Sequence, residues 1–363
     1  MRPIVLAYVA SRVALVIVLL ASIAFMPDGA CPSCVDPSTN SSTNPLLAGL
    51  SRWDGDPYVD IARHGYEGAE RATHGAYSPL YPALMRVGGL VLGGSVDAYI
   101  VAGVLISNAA LLFALRSLLL LAAPSIGLEA GRRAAIYVLV FPTTIVLSAV
   151  YADALFLALA ITSAVEAKRG RWWRSGLVAT LAALTRPFGA LAVIPLAVAL
   201  WQQRGRLRIT TWLAASFAPF AFVAWASYLY AISGDPLRVM HVYAAWGSAP
   251  RSPLQAFTDL FDPAIYGFPW FVLSLIAIFA VLVVASWRVT GPGLGAFATA
   301  AFLVLASSGS LTSSMRYELS IYPAFIVLGA VTARPWAHVA WMATSAIVAL
   351  IFTAMFVLWF WVG

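Results

Sequence analysis

The chain is 363 residues long, 61% hydrophobic and only 10% charged, with a mean hydropathy of +0.87 and a formal net charge of +7. A soluble domain is roughly half apolar and a quarter charged, so these figures exclude a soluble globular protein and describe a polytopic membrane protein. The positive balance does not point to nucleic acid, because the basic residues lie in short loops, the pattern that marks the cytoplasmic side of membrane helices.

A spanning helix needs about 20 mostly apolar residues, and such runs recur along the chain. The first, Ile4 to Phe25, is long for a secretory signal and no clean small-residue cleavage site follows it. It reads as a retained span over about 4–26, with the N-terminus inside. A long outer segment, 27–97, comes next and carries 8 of the 15 acidic residues. It is too long for a connecting loop without structure of its own. Near its start lie Cys31 and Cys34 in "CPSCVDPSTNSSTNP". Facing an oxidising compartment they suit a local disulfide, while the CxxC spacing also suits a redox dithiol or half of a zinc site.

Farther along that segment, "RWDGDPYVDIARHGY" contains Asp56-Pro57, an N-cap followed by proline at the first helical position. Tyr58, Ile61, Ala62 and Gly65 then recur at helical spacing, as in a short helix lying in the membrane interface. "YSPLYPALMRVGG" (77–89) repeats the pattern, with Ser78 as cap, Pro79 next and glycines closing the helix. Spans follow near 98–122, 134–150 and 152–167. Basic clusters bound them: Arg132 and Arg133, then Lys168, Arg169, Arg171 and Arg174, then Arg204, Arg206 and Arg208, then Arg288 and Arg334. Lys168 is the only lysine, which together with the abundant alanine suggests a high-GC bacterial genome.

The stretch 175–201 has basic clusters at both ends and Arg186-Pro187 in its middle. Proline breaks the helical ladder and disfavours helix in the preceding residue. The stretch therefore reads as a hairpin of two short helices with "TRPFG" at its outward tip. Spans near 210–232, 266–288, 293–307, 317–333 and 336–361 complete the map. They enclose a second outer segment, 233–265, which opens with "SGDPLRVMHVYAAW", again Asp-Pro at a helix start. The expected fold is a single all-α membrane domain of about ten to eleven segments.

The three clustered carboxylates have different readings. Asp56 is either the cap or a site residue. Asp60 falls in the first turn, where the helix dipole favours negative charge on a solvated face. Asp54 precedes the helix with no capping duty and is the carboxylate freest for chemistry.

In this order and spacing the chain resembles the PIG-V family of mannosyltransferases, within the GT-C glycosyltransferases. The resemblance rests on "RWDGDPYVDIARHGY", "YSPLYPALMR", "FPTTIVLSAVYADALFLAL", "ALTRPFG", "SGDPLRVMHVYAAW" and "MRYELSIYPAF" (315–325). Three positions depart from the family pattern: Pro57 replaces an aromatic, Asp153 stands where Glu is common, and Phe188 occupies an Asn position. The resemblance implies a GT-C-type helical bundle taking mannose from a polyprenyl-phosphate carrier on the outer face of the cell membrane. It makes Asp54 the general base.

The chemistry suits the residues. Inverting transfer needs a base for the acceptor hydroxyl proton and cations where the phosphate leaving group gains charge. Arg186 and Arg316 are candidates for the phosphate. Asp153 is either a helix-start residue or a carboxylate positioning the acceptor. Asp56, Tyr58, His64, Tyr81 and Tyr317 complete the candidate substrate-binding set. His64 and His241 read as polar interface residues. No metal motif stands out, since Asp54-Gly55-Asp56 matches DxD in letters only, and no metal or cofactor is expected. The expected partners are a polyprenyl-phosphate-sugar donor, a lipid or glycolipid acceptor and the membrane, with no nucleic acid. A transferase using another carrier-linked sugar fits the same residues. A secondary transporter fits less well, because no inverted repeat is visible.

Overall fold

The computed structural model describes residues 1–25, 40, 42–67, 69–245, 252–262, 268–311 and 313–362, so Cys31 and Cys34 lie outside the described residues. Among the described residues every regular element is helical. In chain order, α1 (Arg2–Phe25) leads to α2 (Pro45–Leu50), α3 (Gly55–His64) and α4 (Leu80–Val91), with a 3-10 turn at Ala69–Ala76. There follow α5 (Val96–Ile126), α6 (Leu128–Val140), α7 (Asp153–Lys168), α8 (Trp172–Ala183), the 3-10 turn Pro187–Val193, α9 (Ile194–Gln202) and α10 (Leu213–Ser233). The remainder comprises α11 (Arg238–Ala245), α12 (Pro253–Asp259), α13 (Pro269–Val289), α14 (Pro292–Ala306), α15 (Ser314–Ser320), α16 (Tyr322–Val331) and α17 (Pro335–Val357). Five are long and apolar enough to cross a membrane: α1, α5, α10 with its leading 3-10 turn, α13 and α17. The chain is an all-α multi-pass membrane protein.

The segment between α1 and α5 does contain helices, though its caps differ from the expectation. Asp54, not Asp56, occupies the N-cap position of α3, and its side chain makes no capping bond. Asp56 lies in the first turn and accepts the Asn40 backbone N–H at 2.9 Å, tying the preceding strand of chain to the helix. Asp60 is largely buried rather than solvated, 2.7 Å from His64 Nδ1 and 3.6 Å from His74 Nε2. The apolar face of α3 (Tyr58, Val59, Ile61, Ala62) packs into a protein cluster with Tyr77, Tyr81, Met85 and Ile100 instead of facing lipid. Ser78 does not cap α4; Leu80 N–H instead donates to Leu184 carbonyl at 2.8 Å, linking α4 to the end of α8. Gly88 and Gly89 sit inside α4, where a Cβ would come within 2.9 Å of Ala102 and 2.2 Å of the Tyr99 ring. They allow α4 to lie close on α5.

The expected span 134–150 is not one helix. Helix α6 stops at Val140 before Pro142, and residues 141–152 leave the α-helix for a connection, buried throughout, that is irregular apart from a 3-10 turn at Thr144–Leu147. Irregular backbone at membrane depth is tolerated only where protein satisfies it. Here Val150 N–H donates to Leu50 carbonyl at 2.9 Å. The Asn108 amide of α5 donates to Ser148 carbonyl at 3.2 Å, and Ser107 Oγ to Tyr151 carbonyl at 3.0 Å. Arg12, a cation inside α1 that hydropathy alone passes over, reaches across to Ser148 Oγ and, at 3.2 Å, to Thr144 Oγ1.

Helices α5 and α7 run parallel, with Ser107 beside Tyr151 and Ser117 Oγ 3.1 Å from Thr162 Oγ1. The end of α7, the start of α8, the end of α9 and the start of α10 share one small cluster of Ala167, Leu200 and Ala214 with Trp172 and Trp212. Arg133 Nε at the start of α6 donates to Gly329 carbonyl at the end of α16. The basic clusters therefore collect at one end of the bundle. The breaks at 51–54, 141–152, 184–187 and 307–313 collect at the other.

Candidate active site

At that second end a cavity of about 830 Å³ lies between the segment joining α1 to α5, the turn Pro187–Val193, α11 and the loop leading into α15. Asp54, Tyr58, Arg186, Arg316 and Tyr317 line it. Four charges from four separate stretches of chain meet there, three in its wall and Asp153 behind it. Arg316 grips Asp153 from the side: its Nε donates to both carboxylate oxygens at 3.1 and 3.2 Å, and its Nη2 to Oδ2 at 2.8 Å. Its Nη1 donates to Asp54 Oδ2. Arg186 Nη1 donates to Asp153 Oδ1 and lies 3.5 Å from Ser320 Oγ. Asp153 is 1% exposed, so it lies behind the wall and holds the two guanidiniums in place. Burying these ions in isolation would cost several kcal/mol each, and only their mutual pairing and further hydrogen bonds offset that.

Local structure explains each position. Asp54 opens α3 directly after Trp53, which adopts a left-handed φ of 61°. That conformation is uncommon for a large side chain and costs of order 1–3 kcal/mol. It persists because Trp53 packs between Trp359 and Trp361, with ring centroids 5.4 and 5.2 Å away, and its Nε1 donates to Phe356 carbonyl at 3.4 Å. Trp359 has φ of 63°; among the described residues these two are the non-glycine positions with positive φ. Arg186 is extended, with φ −156° and ψ 149°, because Pro187 forbids helix before it. Asp153 begins α7 at the end of the buried irregular segment.

Aromatic hydroxyls complete the setting. Tyr77 OH donates to Asp54 Oδ1 at 3.2 Å, and the Asp54 backbone N–H donates to Tyr151 OH at 3.2 Å. Burial first, and then the Asp54 charge, push the Tyr77 phenol well above its ordinary value, so it remains a donor. The Arg316 guanidinium lies 4.6 Å from the centre of the Tyr151 ring, and that of Arg186 5.5 Å from Tyr317.

The structure thus brings together Asp54, Tyr58, Asp153, Arg186, Arg316 and Tyr317. Asp56, His64 and Tyr81 do not line the cavity. Tyr81 is fully buried, its OH donating to Gly103 carbonyl at 3.0 Å and sharing a hydrogen bond with Ser107 Oγ. His64 pairs with Asp60, and His241 lies 2.8 Å from Asp235. Sequence reasoning passed over Tyr77, Tyr151 and Trp53 as site residues, although all three stand inside or beside the quoted motifs. It also missed Met240 and Tyr243 of α11, which close one side of the cavity. Among the described residues no group of three or more His, Cys, Asp or Glu side chains is placed to hold a metal ion. Chemically, the cavity offers one partly exposed carboxylate beside two guanidiniums, suited to a substrate that carries both a hydroxyl and a phosphate.

Comparison with known proteins gives a consistent family. The sequence profile described as Mannosyltransferase (PIG-V) matches residues 3–206, more than half of the chain. The GPI alpha-1,6-mannosyltransferase 2 of Rattus norvegicus is 33% identical over 177 residues, which make up 47% of this chain and 35% of that protein. Its Mus musculus counterpart is 33% identical over 175 residues, 46% and 35% of the two chains. The match thus spans about a third of the length of these curated relatives. Among solved structures, the oligosaccharyltransferase of Archaeoglobus fulgidus, in complex with zinc and sulfate, superposes with a TM-score of 0.44 and 11% identity, covering 94% of this chain and 53% of that one.

Proposed function

The chain belongs to the PIG-V mannosyltransferase family, and on that premise we propose that it transfers mannose from a polyprenyl-phosphate carrier to a hydroxyl of a lipid or glycolipid acceptor, with inversion. Asp54 is the general base. It is the carboxylate at the cavity surface, 26% exposed at its side chain, whereas Asp153 is sealed behind the arginines. Arg186 and Arg316 hold the donor phosphate and offset the charge that develops on it as the sugar leaves. Tyr77 orients Asp54, and Trp53 sets where α3 begins. The observation that carries this reading is the single charge cluster at the cavity wall in which Asp54, Arg316 and Arg186 meet with Asp153 behind them.

The site faces the extracytoplasmic side and the N-terminus is cytoplasmic. The support is the gathering of the basic loops at the opposite end of the bundle, which the positive-inside rule assigns to the cytoplasm. A purified preparation given radiolabelled polyprenyl-phosphate-mannose and a panel of lipid acceptors tests the reaction. Labelled glycolipid formed by the wild type and lost in Asp54→Asn is the expected result. Transfer from no polyprenyl-linked sugar, with the protein folded, would refute it.

A further inference from the structure

The two cavity arginines are not equally free. Arg186 holds Asp153 through Nη1 alone. Arg316 has all three nitrogens committed to carboxylate: Nε and Nη2 to Asp153, Nη1 to Asp54. Asp54 is therefore held on both oxygens, Oδ2 by Arg316 and Oδ1 by the Tyr77 hydroxyl. A carboxylate oxygen already in a charge-assisted bond has less of its charge to offer a hydroxyl proton. With Nη1 on Asp54, the Arg316 charge at the cavity is already offset by a carboxylate, so a donor phosphate must compete with Asp54 for it.

We propose that Arg316 is a latch on the base: its Nη1 holds Asp54 until a donor phosphate takes that nitrogen, and only then is Asp54 free for the acceptor hydroxyl. This rests on the transferase reading given above. Asp153 is the pivot. Its grip on Nε and Nη2 keeps the guanidinium beside the cavity while Nη1 changes partner. The donor must then bind before the acceptor can react, so the base is unarmed in the empty site.

The charges balance through the step. The acceptor oxygen bonds to the anomeric carbon as the bond from that carbon to the phosphate oxygen breaks, its electron pair leaving with the phosphate. The hydroxyl proton passes to Asp54, and the phosphodiester monoanion becomes a monoester dianion. One negative charge has moved from Asp54 to the phosphate, and Arg316 is the cation within reach of both ends of that transfer. Afterwards the neutral Asp54 does not compete for Arg316 until its proton leaves.

A latched base predicts tighter binding of the donor phosphate once Asp54 is removed. In the full-length protein, affinity for a sugar-free polyprenyl phosphate is measured for the wild type, Asp54→Asn, Asp54→Ala and, as a control for losing an outer carboxylate, Asp97→Asn. Removing the competing Asp54 charge should tighten binding about 10- to 150-fold, the size of one released charge-assisted bond, while turnover falls. Asp97→Asn should bind as the wild type does. Affinity in Asp54→Asn and Asp54→Ala equal to or weaker than wild type, with the wild type active and binding, would overturn the latch alone. A wild type that binds no polyprenyl phosphate and transfers no sugar would instead overturn the transferase reading. The alanine form covers the case in which asparagine keeps a hydrogen bond to Arg316.

Discussion

The spacing between α8 and the turn Pro187–Val193 sets where Arg186 stands, and Gly189 tests it. A Cβ at Gly189 would lie 1.9 Å from the carbonyl oxygen of Ala182 and 2.6 Å from its carbon. Real Cβ atoms essentially never come closer than 3.0 Å, so the turn and α8 must part by at least 1.1 Å (3.0 − 1.9). The obstacle is backbone, so no side-chain rotation relieves it. Gly189 N–H donates to the Arg186 carbonyl at 2.8 Å, which passes the displacement to Arg186 directly. Overpacking of this kind costs about 1–3 kcal/mol, and a 1 Å misplacement of a positioning group costs about 10²-fold in rate. Gly189→Ala should therefore lower the thermal midpoint in detergent and reduce transfer by about 10²-fold, with weaker binding of polyprenyl phosphate. Gly205→Ala is the control, since nothing lies within 4 Å of its added Cβ. Unchanged turnover and stability in Gly189→Ala would refute the idea that this contact fixes Arg186.

Asp54→Asn should lose about 10²–10⁴-fold in turnover, the usual contribution of a general base, whereas Asp56→Asn keeps an acceptor for the Asn40 amide and should be nearly silent in the same assay. Asp153→Asn removes the shared anion from two buried guanidiniums and should cost about 3–5 kcal/mol of stability, read as a lowered unfolding midpoint; a midpoint equal to wild type would mean that the pairs do not stabilise the fold. Arg186→Lys keeps the charge but loses the planar fork, so donor binding should weaken although net charge is unchanged. In a chain with Cys31 and Cys34 replaced by serine, cysteines introduced at Glu67 and Leu237 should react with an impermeant maleimide in intact cells, and those at Arg171 and Arg206 should not. Labelling at Arg206 would invert the topology.

Much of the architecture was legible because hydropathy and proline act locally. The apolar run of α1, the break at Arg186-Pro187 and the helix after Asp56-Pro57 follow from a few neighbouring residues. The caps were less legible. Asp56 and Ser78 have the right chemistry for an N-cap, but tertiary contacts with Asn40 and Leu184 decided where those helices begin. The segment 141–152 was misjudged for the same kind of reason. Its composition is that of a span, and only the polar side chains of α1 and α5, more than thirty positions away for the nearer helix, allow it to abandon helical bonding. Of the site, Asp54, Asp153, Arg186 and Arg316 could be named from the motifs. Their mutual pairing could not, because it joins positions separated by up to 262 residues. Tyr81 looked like a site residue by proximity in sequence, yet helical geometry turns it into the core.

The buried irregular segment also bears on how such a chain is made. Apolar helices can enter a bilayer one at a time, since each satisfies its own backbone. Residues 141–152 cannot do so fully, because Val150 N–H and the carbonyls of Ser148 and Tyr151 depend on partners at the end of α2 and in α5, and the segment packs on α7 and α17. Helix α17 is synthesised last among these, and the same stretch of chain supplies Trp359 and Trp361 against Trp53. During synthesis this segment must therefore wait, shielded by the insertion machinery or by water at the membrane surface, until the closing helix arrives. Closure of the candidate site thus waits on α17, and a ribosome stalled before α17 would leave a membrane-inserted chain in which Trp53 lacks Trp359 and Trp361.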